Sequence, residues 1–290
     1  MKKLIIMFSV VIVFLTVFLI LLSTYKDNTI LEEVYAIKSN YSYLSDGNVN
    51  LTIKLYTNDK KSLLGYANKA NVVLHDRSEE NVVSAVASDS YISSVTSYNE
   101  KTFYEYSVLI DLEISKLTIE ECYFTLTYSN KVYTFNIGRI EIREKKGNYN
   151  NLKISNLYGV SSKNNVSLAG IIITINNDSD NNWKIDNIHI GGNNSVLLDD
   201  ENIASISDST VIEDYEYKDS ALSGFISILK GEIKSYILPI KHGYNLYLYN
   251  CYLLIEINGE EYYISNFNYI NSNDLTRLEK YITSGIIYDL

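Results

Sequence analysis

Hydrophobic and polar positions fall into two regimes along this chain. From Leu4 to Leu22 the sequence is apolar except at Ser9 and Thr16, and Lys2 and Lys3 precede the run. At about 1.5 Å of rise per residue, a helix over residues 4–22 approaches 30 Å, the thickness of a bilayer's hydrocarbon core. Beyond about residue 30 the pattern becomes short stretches of alternating or continuous apolar character, rich in Val, Ile, Tyr, Phe and Thr, between Asn, Asp, Gly and Ser turns. It predicts strands over 49–55, 104–112, 122–128, 132–142, 166–175, 224–229, 235–240, 246–257 and 261–267. Helical spacing recurs only near the end, where Asn273 can cap a helix carrying Leu275, Leu278, Tyr281 and Ile282 and stopping at Gly285. A shorter helix or turn is expected over 78–86.

The two halves of this pattern resemble each other. Residues 48–59 align with 165–178 when two insertions are allowed, and Ile37 to Tyr41 precedes the first as Ile154 to Tyr158 precedes the second. Later, the Cys122 stretch, a turn and Val132 to Phe135 parallel the Cys251 stretch, a turn and Glu261 to Ile264. Each half has the length and strand spacing of an immunoglobulin-like sandwich, although neither contains a cysteine pair around a tryptophan; Trp183 is the only tryptophan. The expected fold class is therefore all-β, with two tandem immunoglobulin-like sandwiches after an N-terminal transmembrane helix and a short helix at the end. The boundaries are 1–25 for the lysine pair and anchor, 30–145 and 150–270 for the sandwiches, and 272–290 for the helix. One large sandwich is the competing architecture. In an end-to-end tandem, Cys122 and Cys251 lie beyond the ~7 Å Cα limit of a disulfide, which predicts two separate interior thiols.

The apolar run exceeds the roughly 7–15 residues of a cleaved signal peptide, and Leu21 to Lys26 contains no small-residue cleavage pair. Residues 4–22 thus read as an uncleaved signal anchor. With Lys2 and Lys3 on its N-terminal side, the N-terminus is cytoplasmic and the rest lies outside a cell membrane as a single-pass protein. Composition changes the picture in one respect. Removing Lys2 and Lys3 from 25 basic residues leaves 23 against 35 acidic ones, a net of −12 outside, which repels nucleic-acid phosphates. The 27 tyrosines, together with abundant Asn, Ile and Lys, follow AT-rich codons and say little about binding.

Candidate chemistry is sparse. His75, His189 and His242 have no partner at metal-ligand spacing. Asp178 to Asn182 opens like a calcium loop, but Trp183 and His189 stand where the glycine and the bidentate glutamate belong, so an exposed turn is the better reading; Asp199 to Glu201 is a similar acidic stretch. Ser227 to Lys230 matches S-x-x-K, Ser179 to Asn181 matches S-D-N, and Lys241 to Gly243 approaches K-T-G, which together resemble penicillin-interacting enzymes. Their order along the chain is wrong for that chemistry. Sequons occur at Asn40, Asn50, Asn165, Asn177 and Asn193. The expectation is no catalytic, cofactor-binding or metal site and no enzyme, but a membrane-anchored binding protein. It meets the bilayer through 4–22 and an envelope or extracellular protein through its exterior, with an accessory subunit of an envelope or transport complex as one form of that role. The alternatives are a cell-wall or carbohydrate-active hydrolase using paired carboxylates, and a structural spacer.

Overall fold

A computed structural model describes residues 32–68, 70–79, 82–145, 153–162, 165–191, 194–196, 204–205, 225–241, 246–264 and 274–290. The expected anchor, residues 4–22, lies outside them; among the described residues no helix is long and apolar enough to cross a membrane. Residues 34–290 cluster as one compact unit.

Strands β1 (Val34–Ile37) and β2 (Ser39–Ser45) follow almost without a break, yet they pair in different sheets. β3 (Val49–Thr57) shows why the period-2 pattern is a strand: Val49, Leu51, Ile53 and Leu55 are buried in one core while Asn50, Thr52 and Lys54 lie on the other face. β4 (Asn71–His75), β5 (Val82–Tyr98), β6 (Lys101–Leu112), β7 (Leu117–Tyr128) and β8 (Lys131–Glu144) complete the first half. One sheet runs β1-β3-β6-β5 and the other β2-β8-β7-β4, with the start of β5 pairing β4 before it crosses to β6. Both sheets contribute to one core that holds Leu51, Ile53, Val108, Phe124, Tyr133 and Phe135. Each such large side chain withdrawn from water contributes about 1.5–3 kcal/mol. This order of strands is that of an immunoglobulin-type sandwich.

The second half repeats the plan. It contains β9 (Lys153–Ser162), β10 (Asn165–Asn176), β11 (Trp183–Ile190), β12 (Asn194–Val196), β13 (Ala204–Ser205), β14 (Ile226–Ile228), β15 (Ile233–Lys241), β16 (Tyr247–Asn250), β17 (Leu253–Ile257) and β18 (Glu260–Ile264). The pairs β9·β10, β10·β15, β11·β17 and β17·β18 reproduce β1·β3, β3·β6, β4·β7 and β7·β8, all antiparallel. A second core gathers Ile171, Ile173, Trp183, Ile188, Leu238 and Ile255.

The halves are sewn together rather than strung end to end. β16 leaves the second half and pairs in parallel with β2, in the register Tyr247↔Ser39 and Leu248↔Asn40. Beside it, Asn40 Nδ2 donates to the Gly191 carbonyl at 2.8 Å. A Cβ on Gly191 would fall 2.4 Å from the Ser42 Cβ, so only glycine lets the second half approach β2 this closely. Gly138 does the same for β2 against β8: its φ is +98°, and a Cβ there would lie 2.3 Å from the Ser39 oxygen. Tyr252, Leu254 and Tyr263 bury against Leu44 at the same junction.

The expected C-terminal helix is absent from the described residues. Leu275, Leu278 and Tyr281 are buried as expected, but they lie in turns that end in a 3-10 segment, Glu279–Tyr281. Most bonds here are of the three-residue type, such as Leu278 N–H to Leu275 O and Tyr281 N–H to Leu278 O. The three-residue spacing fits a 3-10 turn as well as an α-helix, and packing against Ile37, Tyr56 and Phe103 selects the turn. Residues 282–289 are strands: β19 (Ile282–Ser284) pairs β1 and β20 (Ile286–Asp289) pairs β8. Of the helix or turn expected over 78–86, the described residues show the turn, closed by Glu79 N–H to the Asp76 carbonyl, and β5 begins at Val82.

Candidate interaction face

Among the described residues, Glu105 and Arg139 are buried charges, and both are fully engaged. Glu105 on β6 is fully buried, and its carboxylate accepts from Tyr56 Oη at 2.9 Å, Ser93 Oγ at 2.6 Å and Ser94 Oγ at 3.1 Å, with Lys54 Nζ 3.0 Å away. Burial pushes its pKa up, but the Lys54 charge and these hydrogen bonds outweigh that and hold it below the ordinary value. The Tyr56 phenol is driven well above its ordinary value by burial and then by the Glu105 charge. Four donors on two oxygens leave no lone pair facing a substrate. The second cluster is Arg139, 3% exposed at its side chain, which reaches Glu120 at 2.8 Å and Glu141 at 2.9 Å. Both clusters position strands and neither has the geometry of a catalytic acid–base pair.

The residues nominated by sequence remain dispersed. His75 bonds the Asp76 carbonyl and Thr125, His189 bonds Asn187, and His242 lies outside the described residues, as do Asp199 to Glu201. Among the described residues, no group of three His, Cys, Asp or Glu is placed to hold a metal ion. The Asp178 to Asn182 turn is built around buried Asn177, whose amide bonds the Asn181 and Ile228 carbonyls and accepts from Ser179. Its Asp180 meets Lys230 at 2.5 Å, so the S-D-N and S-x-x-K pieces do come together, as an exposed ion pair between hairpins. Lys241 ends β15 elsewhere. Cys122 and Cys251 are free, buried thiols in the two separate cores, and burial raises both well above the ordinary thiol value. Of the sequons, Asn40 and Asn177 are buried with engaged amides and cannot carry a glycan in the folded chain.

What the sequence did not reveal is the outer face of the sheet formed by β5, β4, β7, β8 and β20. Register places three rows of side chains across it. The first is Val82, His75, Tyr123 and Asn136; the second is Ser84, Val73, Thr125, Thr134 and Ile286; the third is Val86, Asn71, Thr127, Val132 and Tyr288. None of these fourteen positions carries a charge, whereas at the chain-wide 21% about three would. Val82, Val86, Ile286 and Tyr288 are about half exposed or more. The centre is a hydroxyl chain. Thr125 and Thr134 Oγ1 lie 3.1 Å apart, and His75 Nε2 is 3.1 Å from Thr125 while Nδ1 faces the Asp76 carbonyl at 2.8 Å. A carbonyl accepts only, so Nδ1 carries the proton; in the neutral ring Nε2 then accepts from Thr125. Tyr123 stacks on His75 at 5.7 Å. A bulge between Ile119 and Tyr123 sends Glu120 to Arg139, while the Glu121 carboxylate stays at the edge of the first row, accepting from Asn136 Nδ2 at 2.8 Å and from Tyr123 Oη at 3.4 Å.

The second half supplies an internal control. On the equivalent face of β11, β17 and β18, the positions opposite the core are Lys184, Asp186, Asn187, His189, Leu254, Glu256, Glu261 and Tyr263; four of the eight are charged, and Leu254 and Tyr263 bury against Leu44 of the first half. Lys184 pairs with Asp186 there. Fold and codon bias are shared by both halves, so neither accounts for the neutrality of the first.

No protein-family model matches the chain, and no curated protein matches it. Among solved structures, the C-terminal domain of the Streptococcus agalactiae AgI/II polypeptide BspA is matched over 80% of this chain and 97% of that one, at 11% identity and a TM-score of 0.20. Its mutant form is matched over 81% and 97%, at 10% identity and a TM-score of 0.19. Likenesses this loose carry no functional reading.

Proposed function

We propose that this chain is a non-enzymatic, single-pass membrane protein that holds its two sandwich halves outside the cell membrane and binds an envelope or extracellular component. Residues 4–22 are the anchor, with Lys2 and Lys3 on the cytoplasmic side. The docking element is the uncharged face on β5, β4, β7, β8 and β20. The observation that carries this reading is the contrast between fourteen uncharged positions on that face and four charged positions in eight on the equivalent face of the second half, because a stretch of surface low in charge on an acidic protein suits a site that is desolvated in use.

The test places a photoreactive residue at Val86 or, as a control, at Glu256 in the full-length chain in cells of its host. Adducts form at Val86 and not at Glu256 if the face docks. Absence of adducts at Val86, or equal yields at both, overturns the reading.

A further inference from the structure

We infer that the open edge of β5, from Ser94 to Tyr98, receives an extended segment of another protein as an added strand, a contact separate from the uncharged face. Residues 87–98 of β5 pair β6 on one side, and among the described residues no strand pairs their other side. That side is closed near its start, where Ala87 N–H donates to the Ala70 carbonyl and Ser90 Oγ donates to the Leu64 carbonyl in the 3-10 turn Leu63–Tyr66. A bulge between Ile92 and Ser94 follows, and beyond it Ser94 to Tyr98 form a regular run of about the length of a common strand.

The backbone names the conformation of the occupant. Asn99 and Glu100 both have positive φ, so they form the two-residue turn that closes on a hydrogen-bonded pair, Tyr98 and Lys101. Alternation then gives the bonds to β6 to Tyr98, Thr96 and Ser94, and turns the N–H and C=O of Val95 and Ser97 outward. A row of outward donors and acceptors at this spacing is matched by another extended backbone.

The side chains narrow its chemistry. Ser90 to Asn99 contains neither charge nor proline, whereas at the chain-wide 21% these ten residues would carry about two charges. Charge and proline are the devices that guard an exposed edge; β18, which ends the sheet of the second half, has Glu260 and Glu261. Among the described residues, five of the thirteen exposed large apolar side chains stand on β5, namely Val82, Val86, Tyr91, Ile92 and Val95, so its open part is apolar as well as unguarded. Register places Ile92 and Val95 on the side of Tyr106 and Tyr104, and Ser94 and Thr96 on the side of Glu105 and Phe103. The added strand therefore sets apolar side chains beside Ile92 and Val95, and small or hydroxyl-bearing ones beside Ser94 and Thr96. A strand supplied by a second copy would bring a net −10 against −10, a repulsion that a neutral or basic partner avoids.

The test selects phage-displayed random peptides of about nine residues on the full-length chain in detergent micelles, with Ser97→Pro as the comparison target. Proline there removes an outward N–H and spares the bonds to β6. Val95→Glu, which puts a charge on the edge, serves if the proline variant folds poorly. Peptides with alternating apolar residues are enriched about tenfold on the unmodified chain over either variant, and a selected peptide slows hydrogen exchange at Val95 and Ser97 while Thr127 on the uncharged face is unchanged. No enrichment, or peptides that bind the variants equally, overturns the added strand. Concentration-dependent protection of Val95 and Ser97 with no peptide present assigns the edge to a second copy and overturns the foreign strand. Neither variant alters the Val86 photoadducts, so failure here leaves the docking reading standing.

Discussion

At Glu105 a carboxylate is removed entirely from water, a cost of several kcal/mol that its four donors must offset. Glu105→Gln keeps the shape and leaves Lys54 without its counter-charge; the expected loss is about 3 kcal/mol in urea unfolding, with part recovered by adding Lys54→Met. The same group sets an acid limb. Because the folded state holds Glu105 below its ordinary value, the unfolded chain, near 4.3, takes up the proton first as pH falls. Its contribution is complete above roughly pH 5 and drains away as pH falls through the folded value; Glu105→Gln flattens this limb. Little of this was legible in the sequence. Lys54 and Glu105 are fifty-one positions apart, and only the β3·β6 register brings them together. Nor does anything in the neighbours of Asn40 along the chain announce Gly191 as its partner.

Among the elements, strands were legible because one buried face imposes period 2, as in β3 and β7. The segment 275–289 was not. Leu275, Leu278 and Tyr281 satisfy both a helix and a run of turns, and what decides between them is a cluster assembled from β1, β3 and β6. The strands that follow are structural members of the first half. Ser284 pairs Tyr35, Ile287 pairs Tyr133, and Thr283 Oγ1 donates to the Asn136 carbonyl at 2.8 Å. Removing residues 282–290 strips a neighbour from β1 and from the start of β8. Hydrogen exchange of the shortened chain should then show lost protection at residues 34–37 and 131–134, with residues 171–175 of the second half unchanged. Retained protection at 131–134 would mean that β20 merely rests on the sheet.

Across the whole molecule, the repeat was readable from paired stretches around Val49 and Val166, but the neutral face was not, because alternation tells which side of a strand is outward and never which strands are neighbours. Tyrosine burial is likewise a property of the assembled chain. Burial pushes Tyr43 and Tyr236 up to about 12, while the unfolded chain ionises near 10. A raised tyrosine stabilises the fold below the unfolded value and loses that contribution as pH climbs above it. Alkaline titration followed at 295 nm should therefore leave a fraction of the 27 tyrosines silent until a cooperative step that coincides with loss of the β-sheet signal. A smooth titration of all of them near pH 10 would contradict this burial. The pairing of β20 with β8 also bears on biosynthesis. Residue 144, the end of β8, leaves the ribosome about 145 residues before Asp289; at about 5–20 residues per second, that is a wait of roughly 7–30 s. Through that interval the nascent first half lacks the strand that pairs the start of β8, and that open seam must be kept from closing with a neighbour's strand.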